Sequence, residues 1–402
     1  MGGFGVAAGP VRGICVLDFS TAIAGAFAAM LMGDFGAEVI KVEPTEGDQA
    51  RAWGPFYSGE ARMFQAWNRN KRSLAVDLKT DAGREIIYKL VKGADVVIEN
   101  YRPGISERLG IDYDRLKQHN PELIYCSATA FGDKGPYRDR PAYDQILQAI
   151  SGAAAKNEEY GGNAAICSVA IADYGTALLV FGSVNAALYH RAQTGEGQRI
   201  ETSLLQGAMA MQSHFFVDWL GPNEEGNAGI FPNKIFPTKE GLIQISAPTD
   251  KFWRILCKTI GAAELLEDPR WHSNSERVAH VDEIEPVLEG HLAKRSAAEW
   301  EALFIEKGLP CSTVRTHEDF FVDPQVTAMD MNPVLEHPVA GPLRTIGIPV
   351  HFGKSPGRIQ CPSPTLGQHT VEILEEAGYD AGQIARLQEN GVVVAADAQT
   401  EA

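Results

Sequence analysis

The chain has 402 residues, a formal net charge of −16 at neutral pH and 45% hydrophobic residues. This length is enough for two domains, and the acidic balance argues against a general nucleic-acid-binding surface while leaving room for a local basic pocket. The six cysteines form no C-x-x-C pair, so we expect free thiols in a reducing cytoplasm and no metal site. We also expect no apolar run of membrane-spanning length, and hence a cytoplasmic protein without a membrane partner.

The first 130 residues predict alternating strands and helices. Thr80 is expected to cap a helix whose apolar stripe includes Ile86 and Leu90. The alternation predicts an α/β fold, with a parallel sheet and helices on both faces. The first strand-to-helix turn lacks G-x-G-x-x-G, so no dinucleotide fingerprint is present. Other strands are expected at 14–19, 38–42, 71–78, 95–99 and 123–128, and other helices at 22–35 and 113–119.

The rest of the chain suggests a second domain. A loop rich in glycine and proline covers 131–143, where open α/β sheets place ligands beyond the ends of their strands. Helices are expected to open near Asp144 and Asp173. We expect a large α/β domain over 1–220, rejoined by 334–402, and a linker with a smaller α+β domain over 221–333. Within these parts, a strand is expected at 241–246, and helices at 252–260 and, closing the chain, at 369–377.

Asp173 stands near the head of a tract of small and apolar residues, SVAIADYGTALLVFG. An Asp at the start of a helix commonly caps it, and the helix dipole stabilises the negative charge there. The same backbone donors are expected to lower the pKa of the carboxyl and keep it ionised. An ionised carboxylate in a dry pocket can also attack a carbonyl and form a covalent intermediate. The pattern therefore leaves two interpretations open, a capping residue or a nucleophile.

A series of further segments extends over nearly the whole chain. They are VLDFS from Val16, GAEVIKVE from Gly36, NKRSLAVDLK from Asn70, ADVVIENYRPG from Ala94, FGDKGP from Phe131, PAYDQ from Pro141, ADYG from Ala172, TGEGQ from Thr194, DPRW from Asp268, GLPC from Gly308 and GQHT from Gly367. In this order they resemble the class III CoA-transferases, a family that includes formyl-CoA transferase, carnitine CoA-transferase and α-methylacyl-CoA racemase.

The resemblance implies a Rossmann-like large domain, a smaller α+β domain and an interlocked homodimer. It implies that Asp173 is the nucleophile, which attacks the thioester of an acyl-CoA to give a mixed anhydride. CoA then forms an aspartyl-CoA thioester with Asp173, and a carboxylic acid acceptor takes the CoA from it. Coenzyme A enters as the acyl-CoA substrate, and no metal is required.

The resemblance also implies positions that contact CoA. Cationic side chains suit its phosphates, although each one taken singly is more typical of a solvated surface charge. Lys71 and Arg72 are weaker candidates of this kind. The implied CoA positions are Ala24 in the first strand-to-helix turn, Val76 and Lys79 beside the adenine and phosphates, Asn100 and Tyr101 near the pantetheine or diphosphate, and Arg108 on a phosphate.

Several positions near the implied catalytic pocket bear on the activity. Racemases of the family have His-Asp where this chain has Tyr143-Asp144, and racemisation needs a base and an acid on opposite faces of the α-carbon. Arg140 aligns with a basic residue beside the catalytic pocket. Asp144 either orients the acceptor or caps a helix. The loop at 223–229 lacks the consecutive glycines of formyl-CoA transferase. Whether this loop closes over the intermediate is left open by the sequence.

We therefore expect an acyl-CoA:carboxylate CoA-transferase that acts on a small dicarboxylic or hydroxy acid. One alternative is an α-methylacyl-CoA racemase or a related acyl-CoA isomerase. Another, from a different functional class, is a CoA-binding protein without catalysis.

Overall fold

The computed structural model describes residues 9–156, 163–218, 220–221 and 229–396. The chain divides into two compact units, one formed by 1–217 with 325–402 and the other by 218–324. The domain boundaries expected from the sequence stay predictions. The strands are β1 (Cys15–Asp18), β2 (Glu38–Glu43), β3 (Phe56–Tyr57), β4 (Glu60–Ala61), β5 (Arg72–Val76), β6 (Val96–Glu99), β7 (Ile124–Thr129), β8 (Arg199–Ser203), β9 (Asn233–Pro237), β10 (Leu242–Ser246), β11 (Cys311–Thr313), β12 (Val334–His337), β13 (Gly341–Arg344) and β14 (Val393–Val394).

Helices cover much of the remaining described chain. The α-helices are α1 (Ala24–Asp34), α2 (Arg62–Trp67), α3 (Asp81–Leu90), α4 (Ile105–Leu109), α5 (Tyr113–Leu116), α6 (Asp144–Ile150), α7 (Ala153–Lys156), α8 (Ile171–Thr194), α9 (Leu204–Met211), α10 (Asp250–Ile260), α11 (Glu264–Glu267), α12 (Asn274–Ala279), α13 (Val281–Leu292), α14 (Ala297–Glu306), α15 (His317–Phe321), α16 (Pro324–Ala328), α17 (Thr370–Glu376) and α18 (Ala381–Glu389).

A seven-stranded sheet organises the first unit, in the order β14-β5-β2-β1-β6-β7-β8. All neighbours pair in parallel except β14, which pairs antiparallel with β5. The predicted parallel sheet is thereby confirmed. One face packs against α1 and α8 through residues such as Met30 and Val180. The other face packs against α3 and α17, with Ile86 and Ile373 in its core.

The predicted start of α3 is confirmed. The side-chain oxygen of Thr80 accepts a hydrogen bond from the backbone nitrogen of Gly83 at 3.0 Å, which satisfies one of the free donors in the first turn. Of the predicted stripe, Ile86 is completely buried and Leu90 is half-buried. Local sequence therefore determines both the beginning of this helix and its buried face.

The end of the chain differs from expectation. The segment expected to close the chain in a helix at 369–377 forms α17, but α18 and β14 follow it. Val393 pairs with Val76, and Val394 pairs with Ala75. A two-residue strand is too short to show a periodic pattern, and its place in the sheet depends on a partner far away in the sequence.

Helix α8 differs from the expectation that no apolar run reaches membrane-spanning length. Its 24 residues are long and apolar enough, by length and composition alone, to cross a membrane. Ala177, Val180 and Val184 pack into the core beneath the sheet, while Leu178 and Tyr189 are 52% and 71% exposed. Helix α8 therefore belongs to the core of the first unit, and part of its apolar surface is exposed.

The second unit has its own small sheet and core. Strands β11, β10 and β9 form it in that order, all antiparallel. Trp253 of α10 and Trp300 of α14 are buried in its core. The expected strand at 241–246 and helix at 252–260 correspond to β10 and α10, and Thr249 caps α10.

Candidate active site

Asp173 lies in the first turn of α8 and lines a cavity of about 390 Å³. The loops that follow β1 and β6 and the end of β7 form the walls of this cavity. Open α/β sheets place ligands beyond the carboxyl ends of their strands in this way. Among the residues expected at the site, the cavity is also lined by Ala24, Asn100, Tyr101, Arg140 and Tyr143.

The N-terminus of α8 is capped by Asp144, a residue of another helix. Its Oδ1 accepts hydrogen bonds from the backbone nitrogens of Ala172 at 2.7 Å and of Asp173 at 3.1 Å. The N-cap position itself is Ala170, which makes no side-chain capping bond. The interpretation of Asp173 as the cap of its own helix is therefore wrong. Asp144 caps a helix, as one of its two interpretations held, but that helix is α8 rather than its own α6.

Gln148 holds the Asp144 carboxylate in place. Its Nε2 donates to Asp144 Oδ2 at 2.5 Å, and its Oε1 accepts from the backbone nitrogen of Cys167 at 2.8 Å. The same Nε2 lies 3.1 Å from the carbonyl oxygen of Cys167 and 3.2 Å from that of Val169. Asp144 and Gln148 are both 1% exposed. This buried pair ties α6 to the segment that leads into Asp173.

The electrostatic environment of Asp173 is the reverse of the expected one. Burial, followed by repulsion from Asp144, raises the pKa of Asp173 to about 7. The sequence interpretation assumed that backbone donors at the start of α8 lower this pKa. The structure explains the difference, because Asp144 accepts from those donors and adds its own negative charge. Asp173 is therefore a poorly solvated carboxyl that exchanges its proton close to neutral pH.

The floor of the cavity is fixed by Asn100. Its Oδ1 accepts from the backbone nitrogen of Thr21 at 2.8 Å, and its Nδ2 donates to the carbonyl oxygen of Thr21 at 2.7 Å. The next residue, Ala22, has a φ of 59°, in the left-handed region that L-residues seldom adopt. Asn100 thus secures the loop after β1, and its amide is committed to that loop.

Three arginines provide positive charge at the cavity, Arg102, Arg138 and Arg140. Arg140 lies over the rings of Tyr137 and Phe131, at 5.3 and 5.7 Å from their centroids. Arg138 pairs with Asp139 at 2.8 Å. Sequence reasoning identified Arg140 but missed the other two arginines, together with Thr21, Gln49 and Thr129. The available signal was the RPG tripeptide shortly after β6, which places Arg102 near a strand end.

Three expected CoA positions do not line this cavity. Lys79 and Arg108 are exposed, the first in the turn after β5 and the second on α4. Val76 is completely buried in the sheet, where it pairs with β14. The expectation that Val76 flanks the adenine is therefore wrong for its side chain, which has no free surface.

Lys71 and Arg72 have structural partners instead of ligand-binding positions. Lys71 is completely buried, and its Nζ donates to Asp18 at 2.7 Å and to the Ala26 carbonyl and Asn68 at 2.8 Å each. All three of its donors are thereby used. Arg72 forms ion pairs with Glu38, Glu372 and Glu376 at 2.6, 3.3 and 2.9 Å. Neither residue supplies a free cation for phosphate.

The loop expected at 223–229 lies outside the described residues except for Gly229. All six cysteines lie in the described part and are unpaired. Across 9–156, 163–218, 220–221 and 229–396, no group of three or more His, Cys, Asp or Glu residues is arranged to hold a metal ion.

Comparison with known proteins places this geometry in context. Residues 11–370 match CoA-transferase family III. An acyl-CoA transferase from Fusarium pseudograminearum is 37% identical over 407 residues, which cover 96% of this chain and 88% of that protein. The succinyl-CoA:glutarate CoA-transferase of Mus musculus is 35% identical over 393 residues, covering 96% and 90% of the two chains.

The fold is also similar to that of a solved structure. The crystal structure of a CAIB/BAIF family protein from Brucella suis superposes with a TM-score of 0.81 at 33% identity. The superposition covers 92% of this chain and all of that one. Sequence and fold therefore agree over nearly the whole length.

Proposed function

This chain belongs to CoA-transferase family III, and we propose that it transfers CoA from an acyl-CoA donor to a carboxylic acid acceptor through a covalent intermediate on Asp173. The observation that carries the proposal is the position of the Asp173 carboxyl, which is poorly solvated yet open to a cavity of about 390 Å³. A cavity of this size admits the thioester end of an acyl-CoA.

The proposed reaction conserves charge and atoms at each step. An oxygen of Asp173 attacks the thioester carbon of the donor, the C–S bond breaks, and CoA leaves as a thiolate, so that the donor acyl group and Asp173 form a mixed anhydride. The thiolate attacks the Asp173 carbonyl carbon, which releases the donor acid and leaves aspartyl-CoA. The acceptor carboxylate attacks the same carbon and displaces CoA again. In the last step the thiolate attacks the acceptor acyl carbon, which yields the new acyl-CoA and free Asp173.

The environment of Asp173 favours these steps. Its anionic form is disfavoured by burial and by the neighbouring Asp144, whereas its anhydride and thioester forms carry no charge. Acylation therefore relieves an unfavourable interaction that is present before the reaction. The bonds from Asp144 to the backbone of Ala172 and Asp173 hold the start of α8 in place throughout.

We propose that CoA binds through cations on both sides of the cavity. Arg138 and Arg140 line it, and charge-assisted hydrogen bonds to phosphate suit the arginine guanidinium. Lys79 and Arg108 are exposed and are proposed to reach the outer phosphates, as the family resemblance implies. Asn100 contributes indirectly by holding the Thr21 loop.

We propose further that the working form is a homodimer. Leu178 and Tyr189 of α8 are exposed, and Val217 is 70% exposed beyond α9. Exposed apolar surface of this kind is typical of protein interfaces. Sedimentation velocity of the full chain tests the dimer, and a monomer at micromolar concentration would contradict it.

The substrates are proposed from the relatives. The mouse relative is named for succinyl-CoA and glutarate, which suggests dicarboxylic acids for this chain as well. A matrix of CoA donors against carboxylic acids, with CoA esters measured by mass spectrometry, tests this. Transfer that depends on Asp173 supports the proposal. Exchange of the α-proton with deuterated water in the absence of any acceptor would instead indicate an isomerase.

A further inference from the structure

The loop after β1 forms part of the wall of the Asp173 cavity. We call residues 19–23 the β1 loop. Thr21 and Ala22 line the cavity, as does Ala24, the first residue of α1. The N-cap residue of α1 makes no side-chain capping bond, and the first turn holds no acidic residue. The β1 loop therefore lacks the local contact that commonly orders the start of a helix, and its conformation depends on other parts of the chain.

Ala22 is the strained residue of the β1 loop. Its φ of 59° places it in the left-handed region, which the Cβ atom of an L-residue disfavours. Alanine has no polar side chain that could stabilise this conformation by a local hydrogen bond, as asparagine and aspartate do. Such a conformation persists only where the surrounding structure imposes it. The contacts that impose it are found at the two residues before Ala22.

Ser20 is held at both of its backbone polar groups. Its N–H donates to Asp18 Oδ1 at 3.0 Å, and its carbonyl oxygen accepts a hydrogen bond from Lys41 Nζ. Its hydroxyl donates to the same Asp18 oxygen. Ser20 and Asp18 are completely buried, and Lys41 is 1% exposed. Lys41 lies beside Asp18 on the adjacent strand β2, so the sheet itself carries both groups that hold Ser20.

Thr21 is held in the same manner from a third strand. Asn100, which follows β6, binds the backbone N–H and the carbonyl oxygen of Thr21. All four backbone polar groups of Ser20 and Thr21 thus have side-chain partners. The chain therefore enters Ala22 from a fixed direction, and this fixes the path from Ala22 into α1.

Lys41 also binds the segment after β2. Its Nζ pairs with Asp48 Oδ2 at 2.9 Å, and both side chains are 1% exposed. Asp48 Oδ1 accepts from the Ala50 backbone nitrogen at 2.8 Å, which fixes the turn that contains Gln49. Gln49 lines the cavity, and its Nε2 donates to Thr21 Oγ1 at 3.3 Å. One buried ammonium group thus holds two neighbouring segments of the cavity wall.

We propose that Lys41 is a positioning residue, which holds the β1 loop in the conformation that receives CoA. It is buried and does not line the cavity, so it acts through the loop and not by contact with the substrate. When the bond from Lys41 to Ser20 is lost, Ala22 is expected to leave the left-handed region. The CoA affinity then falls with the fraction of molecules that retains the competent loop. This inference rests on the proposed CoA-transferase activity and adds a residue that shapes its site.

The first test measures CoA binding by calorimetry. We expect Lys41→Met to raise the Kd for CoA about tenfold, which corresponds to the preference of alanine for other backbone conformations. Arg69→Met is the matched control, because it breaks another buried ion pair, with Asp34 at the far end of α1. The control should lower stability without changing the Kd, since unfolded molecules reduce only the binding stoichiometry. An unchanged Kd in Lys41→Met, or an equal rise in both variants, would overturn the inference.

The second test connects Lys41 with Ala22. Glycine adopts the left-handed conformation without the steric cost that alanine has. Adding Ala22→Gly to Lys41→Met should therefore lower the Kd for CoA again, and by a larger factor than the same change produces in the wild type. A change by the same factor in both backgrounds contradicts the proposed connection. A lysine that serves only the stability of the fold predicts that equal factor.

Hydrogen exchange follows the β1 loop without any ligand. Amide exchange in a peptide that covers 19–27 should be faster in Lys41→Met than in the wild type and unchanged in Arg69→Met. If Lys41→Met does not fold, Lys41→Met with Asp48→Asn takes its place, because the second change removes the carboxylate charge that would be left unpaired. Equal exchange in the Lys41 variant and the wild type would overturn the inference. A wild type that does not bind CoA would instead contradict the proposed function, whatever the exchange results.

Discussion

The Oδ1 atom of Asp144 lies 3.1 Å from the backbone nitrogen of Asp173, so one carboxylate caps the helix that carries another. This relationship connects structure and reactivity. Asp144 satisfies the donors at the start of α8 and brings a negative charge close to Asp173. From the sequence alone, Asp144 is either a helix cap or an acceptor-binding group. In the structure it positions the carboxyl of Asp173 and raises the pKa of that carboxyl.

The pH dependence of activity follows from this pair. Since the anion of Asp173 is the attacking form and its pKa is about 7, kcat/KM is expected to rise as pH increases through 7. Asp144→Asn removes the repulsion and should shift this rise to lower pH. Asp380→Asn, which changes the cap of α18 far from the cavity, is the control and should leave the profile unchanged. A profile that is the same in Asp144→Asn as in the wild type would contradict the assigned role of Asp144.

The raised pKa of Asp173 should also make the stability of the protein depend on pH. The folded state raises the pKa of Asp173 from 3.8 to about 7, so its folded form holds the proton more tightly than its unfolded form. The wild type then loses stability as pH rises between these values. Asp173→Asn lacks this loss and should be more stable at about pH 8, by about 1–2 kcal/mol after allowance for partial exposure.

Thermal unfolding at about pH 5 and pH 8 measures this effect. The advantage of Asp173→Asn over the wild type should be larger at the higher pH. An advantage that does not change with pH, or a variant that is less stable at pH 8, contradicts the raised pKa.

Lys71 is expected to matter for folding rather than for CoA binding. Its ammonium group compensates the buried Asp18 at 2.7 Å, and removing one partner of a buried ion pair commonly costs about 3–5 kcal/mol. Lys71→Met should therefore lower the free energy of unfolding by an amount of this order, measured by urea titration. Lys89→Met, on the surface over Tyr379, serves as its control. Unchanged stability together with a raised KM for acyl-CoA would restore Lys71 as a ligand-binding residue.

The proposed phosphate contacts have a specific chemical probe. Dephospho-CoA lacks the 3′-phosphate of CoA, so a residue that binds this phosphate should discriminate between acyl esters of the two. If Lys79 or Arg108 binds it, replacement by Met should raise the KM for acyl-CoA about tenfold and leave the dephospho ester nearly unaffected. An equal change for both esters would exclude contact with that phosphate.

Some of this fold could be predicted from local sequence. The helix α3 carries its start signal and its apolar stripe within a dozen residues, and the strands of the sheet centre are apolar runs between turn residues. The resemblance to a known family pointed to Asp173. The helix and the strands depend on neighbours that are near in the sequence, so their patterns are visible in it.

The environment of the site could not be predicted from local sequence. Asp144 meets the start of α8 from 29 residues away, and Asn100 meets Thr21 from 79 residues away. Lys71 looks like a surface cation until its burial against Asp18 is known. Burial and distant charge set the pKa of Asp173, and neither is visible in the residues beside it.

The central claim is that Asp173 forms covalent bonds during turnover, and oxygen tracing tests it most directly. A single turnover is performed with an acceptor acid labelled with oxygen-18 at both carboxyl oxygens, and the peptide that contains Asp173 is then analysed by mass spectrometry. In the proposed sequence the acceptor leaves one of its oxygens on the carboxyl of Asp173, so this peptide should gain one heavy oxygen. Product formation without any label on Asp173 would contradict the account.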